Sequence, residues 1–397
     1  MTRTTSILLP LLLLVALTTA QSVHKGEKLK KQILSDGVFA EGTAFADVNG
    51  DGHDDLVAGP LIHLGPDFTE AKRFRPGDAV SHIGYAHRCF FSWVLDLDDD
   101  GRADILQVGH EKDFNLRIYL QPEQPSEAWP GHVVIDHFGN ESPTLADVTG
   151  DGTPELVAMH QGQFGFFQIN RKDPTQPWPF HAISEKRKPY PYFHGLGIGD
   201  LNGDGRPDIV EKDGWFEAPA DPLNDPWPYH AFSFSKAGGA QMLIYDIDGD
   251  GDNDIVTSLA AHAWGLAWFE NVPDKQGGIT FKKYELIPTD EQPGVGGVSF
   301  TQAHALELGD FNGDGHTDFV TGKRYWAHNG RDPDAKGPAV LYWYELKRGE
   351  KGVEFIPHLL DRNSGAGTQI TVRDINGDGI SDIGIASKKG VFIFQSQ

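Results

Sequence analysis

One cysteine, Cys89, stands in 397 residues, so the chain has no internal disulfide to staple its fold. Basic side chains are scarce as well. Lysine and arginine total 34 against 57 acidic residues, a formal charge of −23. Such a surface repels nucleic acid and anionic membranes and argues against either as partner. Long apolar runs are missing after the first 20 residues, and no window sustains a 3.6-residue apolar period. Membrane insertion and a helical architecture are therefore not expected. Glycine (47) and proline (25) are plentiful, which favours turns, and a hydrophobic share of 39% suffices for a packed core.

The first 20 residues are organised differently from the rest. Arg3 precedes an apolar run from Ile7 to Leu17, and Thr18, Thr19 and Ala20 offer small residues for a signal peptidase. Residues 1–20 thus read as a cleaved signal peptide, with the mature chain at 21–397. The competing reading, an uncleaved anchor, needs a longer span of about 20 apolar residues. No cysteine follows the cleavage site, so no lipid anchor is expected there. The expected location is extracellular or periplasmic.

The pattern D-x-[D/N]-x-D-G-x-x-[D/E] recurs seven times, with one variant copy that has threonine at the third position. First aspartates fall at 47, 96, 147, 200, 246, 310 and 374, so the copies lie 49, 51, 53, 46, 64 and 64 residues apart. That interval is the length of one four-stranded propeller blade, lengthened by insertions in the later copies. An apolar run follows each loop, as in Leu56-Val57-Ala58 and Ile255-Val256. Third strands such as Leu266–Phe269 and Leu341–Tyr344 come next. A fourth segment carries aromatic-x-x-His, as in Trp178-Pro179-Phe180-His181 and Trp227-Pro228-Tyr229-His230. The fold class is all-β, a single seven-bladed propeller. A lone strand near residues 28–34 is expected to complete the last blade and close the ring.

Each loop presents oxygen side chains at positions 1, 3, 5 and 9, a set suited to a hard cation with six to eight oxygen ligands. The sets are Asp47, Asn49, Asp51 and Asp55; Asp96, Asp98, Asp100 and Asp104; Asp147, Thr149, Asp151 and Glu155; Asp200, Asn202, Asp204 and Asp208. The remaining three are Asp246, Asp248, Asp250 and Asp254; Asp310, Asn312, Asp314 and Asp318; and Asp374, Asn376, Asp378 and Asp382. Six or seven bound Ca²⁺ are expected, the third loop being the poorest because of Thr149. Metal-free turns are the alternative, and they would leave clustered carboxylates unneutralised. An EF-hand is excluded, because position 12 is not a recurring glutamate: Ala58, Gln107 and Ala158 occupy it in the first three copies.

These D-x-N-G-D-G loops on repeats of about 50 residues resemble the FG-GAP/VCBS-type repeats of integrin-like propellers and of many secreted bacterial proteins. Segments such as His194–Asp200, Ala261–Leu266 and Thr321–His328 resemble a secreted bacterial subgroup, and are similar to the propeller of fungal aldos-2-ulose dehydratase. The latter resemblance implies elimination of water from a keto-sugar.

If every metal loop joins an inner strand to the second strand, the opposite disc face gathers the residues before the inner strands and those leaving the second strands. That face then holds Glu141, His194 and His304, with Gln241 and Gln369 one step further on. His110, His160, His262, Lys212, Lys323, Arg324 and Tyr325 leave the second strands, and His328 follows in the last of these segments. Convergent titratable groups at a propeller mouth mark a ligand site. The first functional reading is a carbohydrate-active lyase or dehydratase. His304, His194 or His262 would be the base, Lys323 or Arg324 would stabilise enolate-like charge, and Tyr325 or His328 would be the acid. Glu141, His160, Gln241 and Gln369 would bind the sugar. The histidines could alternatively hold an additional divalent metal in the channel. The second reading is a non-catalytic propeller that binds a glycan or another protein, and fold alone does not choose between them.

Overall fold

The computed structural model describes residues 29–81, 89–109, 114–124, 128–137, 139–189 and 192–397. The segment read as a signal peptide and His110 lie outside the described residues. Strands form seven four-stranded antiparallel sheets. Their inner strands are Thr43–Ala46, Phe91–Leu95, Thr144–Ala146, Leu196–Gly199, Leu243–Tyr245, Ala303–Gly309 and Ile370–Arg373, numbered here as blades 1 to 7. Six sheets are consecutive meanders. In blade 7 the outer strand is Lys30–Ser35, which pairs antiparallel with Gly390–Gln395. Helical structure among the described residues is limited to two 3₁₀ turns, Val295–Gly297 and Ala327–Gly330, and no helix there is long and apolar enough to cross a membrane.

Period-two alternation explains why the second strands read as continuous apolar runs. In blade 1, Leu56 and Ala58 face the core shared with blade 7, whereas Val57 faces the core shared with blade 2. In blade 3, Leu156 and Ala158 face blade 2 while Val157 and Met159 face blade 4. Blade 6 repeats the arrangement, with Phe319 towards blade 5 and Val320 towards blade 7. Both faces of each sheet are therefore buried, so both side-chain sets must be apolar. The seven clusters correspond to the seven blade interfaces, and together they make the ring.

The aromatic-x-x-His motif has a structural role. His230 lies directly across from Trp215 and stacks on it at 4.2 Å between ring centroids; His358 does the same on Trp343, also at 4.2 Å. His181 stacks on Phe166 in blade 3. Trp178 and Trp227, which open the motif, are buried in neighbouring interfaces. These are cross-strand aromatic pairs of the kind that stabilise outer strands.

Candidate functional site

Every one of the seven loops lies between the first and second strand of its blade, so they share one face. Position 1 is an Asx-type turn: Asp47 Oδ1 accepts from the Gly50 N–H at 2.7 Å, and Oδ2 accepts from the Gly52 N–H at 2.8 Å. Blades 3, 4, 6 and 7 repeat both contacts. The position-6 glycines have φ between +83° and +100°, where a Cβ is strained. Position 9 behaves differently from the other three. Asp55, Asp104, Asp208, Asp318 and Asp382 are completely buried. One oxygen takes the N–H of position 2, as from Ile247 to Asp254 at 3.1 Å. The other takes an N–H from the far part of the third strand, as from Asn271 to Asp254 at 2.7 Å. In blade 3 Glu155 instead takes the Thr149 hydroxyl. In the other six blades the position-9 carboxylate thus ties the third strand to the loop between the first two, a role that the ligand pattern alone does not disclose. Burial pushes Asp254 and Asp318 up to about 7.

On the other face, backbone bonds between blades position the mouth. The Glu41 N–H donates to the Cys89 carbonyl, Glu141 N–H to Phe193, Thr368 N–H to Glu41, and Gln302 N–H to Ala263; within blade 6 the Arg324 N–H donates to Gln302. Glu41, Glu141, His194 and His304 all stand six residues before the first aspartate of their loops, so the ring brings equivalent positions of blades 1, 3, 4 and 6 inward. Glu141, His194, His262 and His304 offer one ligating atom each, all within 4.8 Å of one another. His304 Nε2 lies 3.0 Å, and His194 Nε2 3.3 Å, from Glu141 Oε2. His304 is fully buried. Burial and the neighbouring Arg324 charge hold its imidazole well below the usual range, in the neutral form that a metal requires. Burial alone would raise Glu141, but bonds from His194 and His304 and the Arg324 charge keep it well below the ordinary carboxylate range.

Arg324 is wedged among these groups. Its Nε donates to Glu41 Oε2 at 2.7 Å, and Nη1 lies 3.3 Å from Glu141 Oε2 and 3.1 Å from His304 Nε2. His262 Nδ1 bonds Asp332 Oδ2 at 3.1 Å, which leaves Nε2 as the nitrogen available to a ligand. Asp332 also accepts from His328 Nδ1 at 2.9 Å. Burial alone would raise Asp332; bonds from the two histidines hold it far below its ordinary value. The segment that carries it is strained, with Trp326, His328 and Asn329 at φ of 60°, 46° and 57°.

The other expected site residues fall elsewhere. Lys323 is buried and bonded to the Asp334 carbonyl and carboxylate. Tyr325 lies under Lys389, whose ammonium is 4.0 Å from the ring centroid. Gln241 reaches the Thr368 carbonyl and the Leu306 N–H; Gln369 spans the Ser92 N–H and carbonyl. Both amides are thus committed to backbone of other blades and stitch the inner strands. His160 packs on Phe167 and Phe180 and contacts the His137 carbonyl. Asp332 and Asp334 were not picked out by sequence; the signal for them is the acidic Arg331-Asp332-Pro333-Asp334 inside the insertion that follows Lys323.

Residues 246–321 and 310–385 match the model of the FG-GAP-like repeat. No curated protein matches the chain significantly in sequence. Among solved structures it is similar to an Agrocybe aegerita lectin that recognises non-reducing terminal N-acetylglucosamine. The identity is 16% over 83% of this chain and 81% of that one, with a TM-score of 0.47. AofleA from Arthrobotrys oligospora is 11% identical over 75% and 79% of the two chains, TM-score 0.41. The V. cholerae biofilm matrix protein Bap1 is 14% identical over 86% of this chain and 45% of that one, TM-score 0.35. With its seven four-stranded sheets, the chain is a seven-bladed β-propeller carrying FG-GAP-like repeats.

Proposed function

We propose that this is an exported, calcium-stabilised propeller that binds a carbohydrate at its mouth through a divalent transition metal. The observation that carries the reading is the convergence of Glu141, His194, His262 and His304. A tetrahedral ion with bonds of about 2.0 Å separates its ligand atoms by roughly 3.3 Å, and the contacts of 3.0 and 3.3 Å to Glu141 Oε2 fit that spacing. Three nitrogens and one carboxylate suit Zn²⁺ or a neighbouring first-row ion better than Ca²⁺. His304 Nδ1 and Glu41 Oε1 are buried without a hydrogen-bond partner among the described residues. Bound there, the metal would supply a Lewis acid for sugar hydroxyls. Asp332 holds His262 in one tautomer, and Arg324 helps keep Glu141 charged, pairs with Glu41 and can donate to a ligand oxygen.

Binding is favoured over elimination by what the expected catalytic groups already do. Lys323 is occupied by Asp334, His304 is enclosed by Glu141 and Arg324, and His328 is held by Asp332. Metal analysis of the isolated protein, followed by glycan-array and calorimetric binding, tests the reading. About one transition-metal ion per chain is expected, lost together with sugar binding in His194→Ala/His304→Ala. A metal-free wild type with unchanged sugar binding in that variant overturns it. Unsaturated, ultraviolet-absorbing products from uronate or keto-sugar substrates would instead establish elimination.

A further inference from the structure

A cavity of about 330 Å³ opens beside the histidine cluster, and His194 and His262 form part of its wall. The rest of that wall includes Arg187, Lys188, Lys212 and Tyr192, and among the described residues no acidic side chain lines it. In a chain with 57 acidic and 34 basic residues, three cations in one cavity wall with no acid among its described lining is a local reversal of charge.

The three cations are held differently. Arg187 is anchored by the fully buried Glu211 at 3.0 Å, which fixes the guanidinium at the rim. Lys212 pairs with the half-exposed Asp213 and lies 5.9 Å from the Phe193 ring centroid. Lys188 is exposed and makes no ion pair among the described residues. Tyr192 is 37% exposed and packs edge-on against Phe114, so one apolar ring stands at the same opening. A fixed guanidinium, two ammonium groups and an aromatic face together suit an oxyanion carried on a sugar ring.

We infer that the cleft selects an acidic saccharide, whose carboxylate or sulfate sits among Arg187, Lys188 and Lys212 while its hydroxyls face the histidine cluster. The inference rests on the carbohydrate reading above and narrows it to anionic glycans. The metal ligands would provide the neutral-sugar contacts, and the three cations the discrimination.

The test uses the full-length protein as isolated, with its metals. Calorimetry compares a hexuronic-acid oligosaccharide, a sulfated oligosaccharide with a neutral backbone, and the desulfated form of the latter, at low and high salt. The expected result is at least about tenfold tighter binding of one acidic ligand than of the neutral one, with that advantage shrinking at high salt. Which acidic ligand wins separates carboxylate from sulfate recognition. Lys188→Glu and Lys212→Ala should each erase most of the advantage and leave neutral-sugar affinity and metal content unchanged. Because Lys188 is exposed, its variant should keep the wild-type melting temperature, and that measurement is made alongside. Equal affinity for acidic and neutral ligands, or variants without effect on the difference, overturns the acidic-saccharide inference while leaving carbohydrate binding intact. Failure of every saccharide to bind overturns the carbohydrate reading and this inference with it.

Discussion

Glu307 lies on the inner strand of blade 6, half-buried, with one oxygen accepting the Leu308 N–H. Burial pushes its carboxyl up to about 7. A carboxyl whose folded pKa exceeds its unfolded one favours the folded state at low pH, and that contribution is lost as pH rises from about 4.5 towards 7. Glu307→Gln, which cannot ionise, should therefore melt higher than wild type at pH 8 and equal to it at pH 4. Thermal melts at the two pH values check this, and an equal difference at both would refute it. His63 has the opposite sign. It is buried, its Nε2 has no hydrogen-bond partner among the described residues, and burial lowers it to about 4. Stability from its neutral form is complete above pH 6.5 and falls as pH drops towards 4. His63→Leu should accordingly blunt the loss of stability on acidification through that window, as read by urea midpoints at pH 7 and pH 4.5.

At the scale of the element, the loops divide their acidic residues between two tasks. Asp254 satisfies two backbone N–H groups and is almost wholly buried, whereas Asp248 at position 3 of the same loop is partly exposed. Asp254→Ala strands those N–H groups and should cost about 2–4 kcal/mol, by the usual cost of unmade buried hydrogen bonds. The loss should persist in chelator, because the bonds do not involve a cation. Asp248→Ala should destabilise only where calcium is present. Denaturant unfolding with calcium and with EDTA separates the two; identical behaviour would contradict the division. The repeat was legible in sequence because all parts of the motif lie within nine residues, and its period matches a blade. The task of position 9 was not, since its partner N–H comes from the third strand, 17 residues away for Asn271. The mouth was legible in part. Glu141, His194 and His304 share one repeat position, so blade topology alone brings them inward. The engagement of Lys323 with Asp334, and of Gln241 with Thr368, depends on insertions and cross-channel bonds that no local pattern encodes.

For the whole molecule, charge and architecture are linked. Loop positions 1, 5 and 9 hold 21 carboxylates, and Asp98 and Asp248 at position 3 make 23. Seven bound Ca²⁺ would bring the net charge from −23 to −9. Without cations, the exposed members repel one another across one face of the disc. Chelation should then lower the melting temperature substantially, and added calcium should restore it. A melt unchanged by EDTA would remove calcium from the account of stability. With no disulfide available, the seven blade interfaces carry the ring, and each depends on the alternation of its second strands.

Blade 7 joins chain segments at opposite ends of the described sequence: Lys30 pairs with Gln395, and Lys31 reaches Asp361 of blade 6 at 2.7 Å. The start of the one strand therefore lies beside the finish of the other, in the geometry of a hairpin that lacks only its turn. A short Asn-Gly connector should supply that turn. The covalent break could then be moved to an exposed hairpin elsewhere, such as Gly349–Gly352, without changing which strands pair. A circular permutant with an intact mouth would show that the seam is a matter of where the chain is cut, and that any of the seven blades could have carried it.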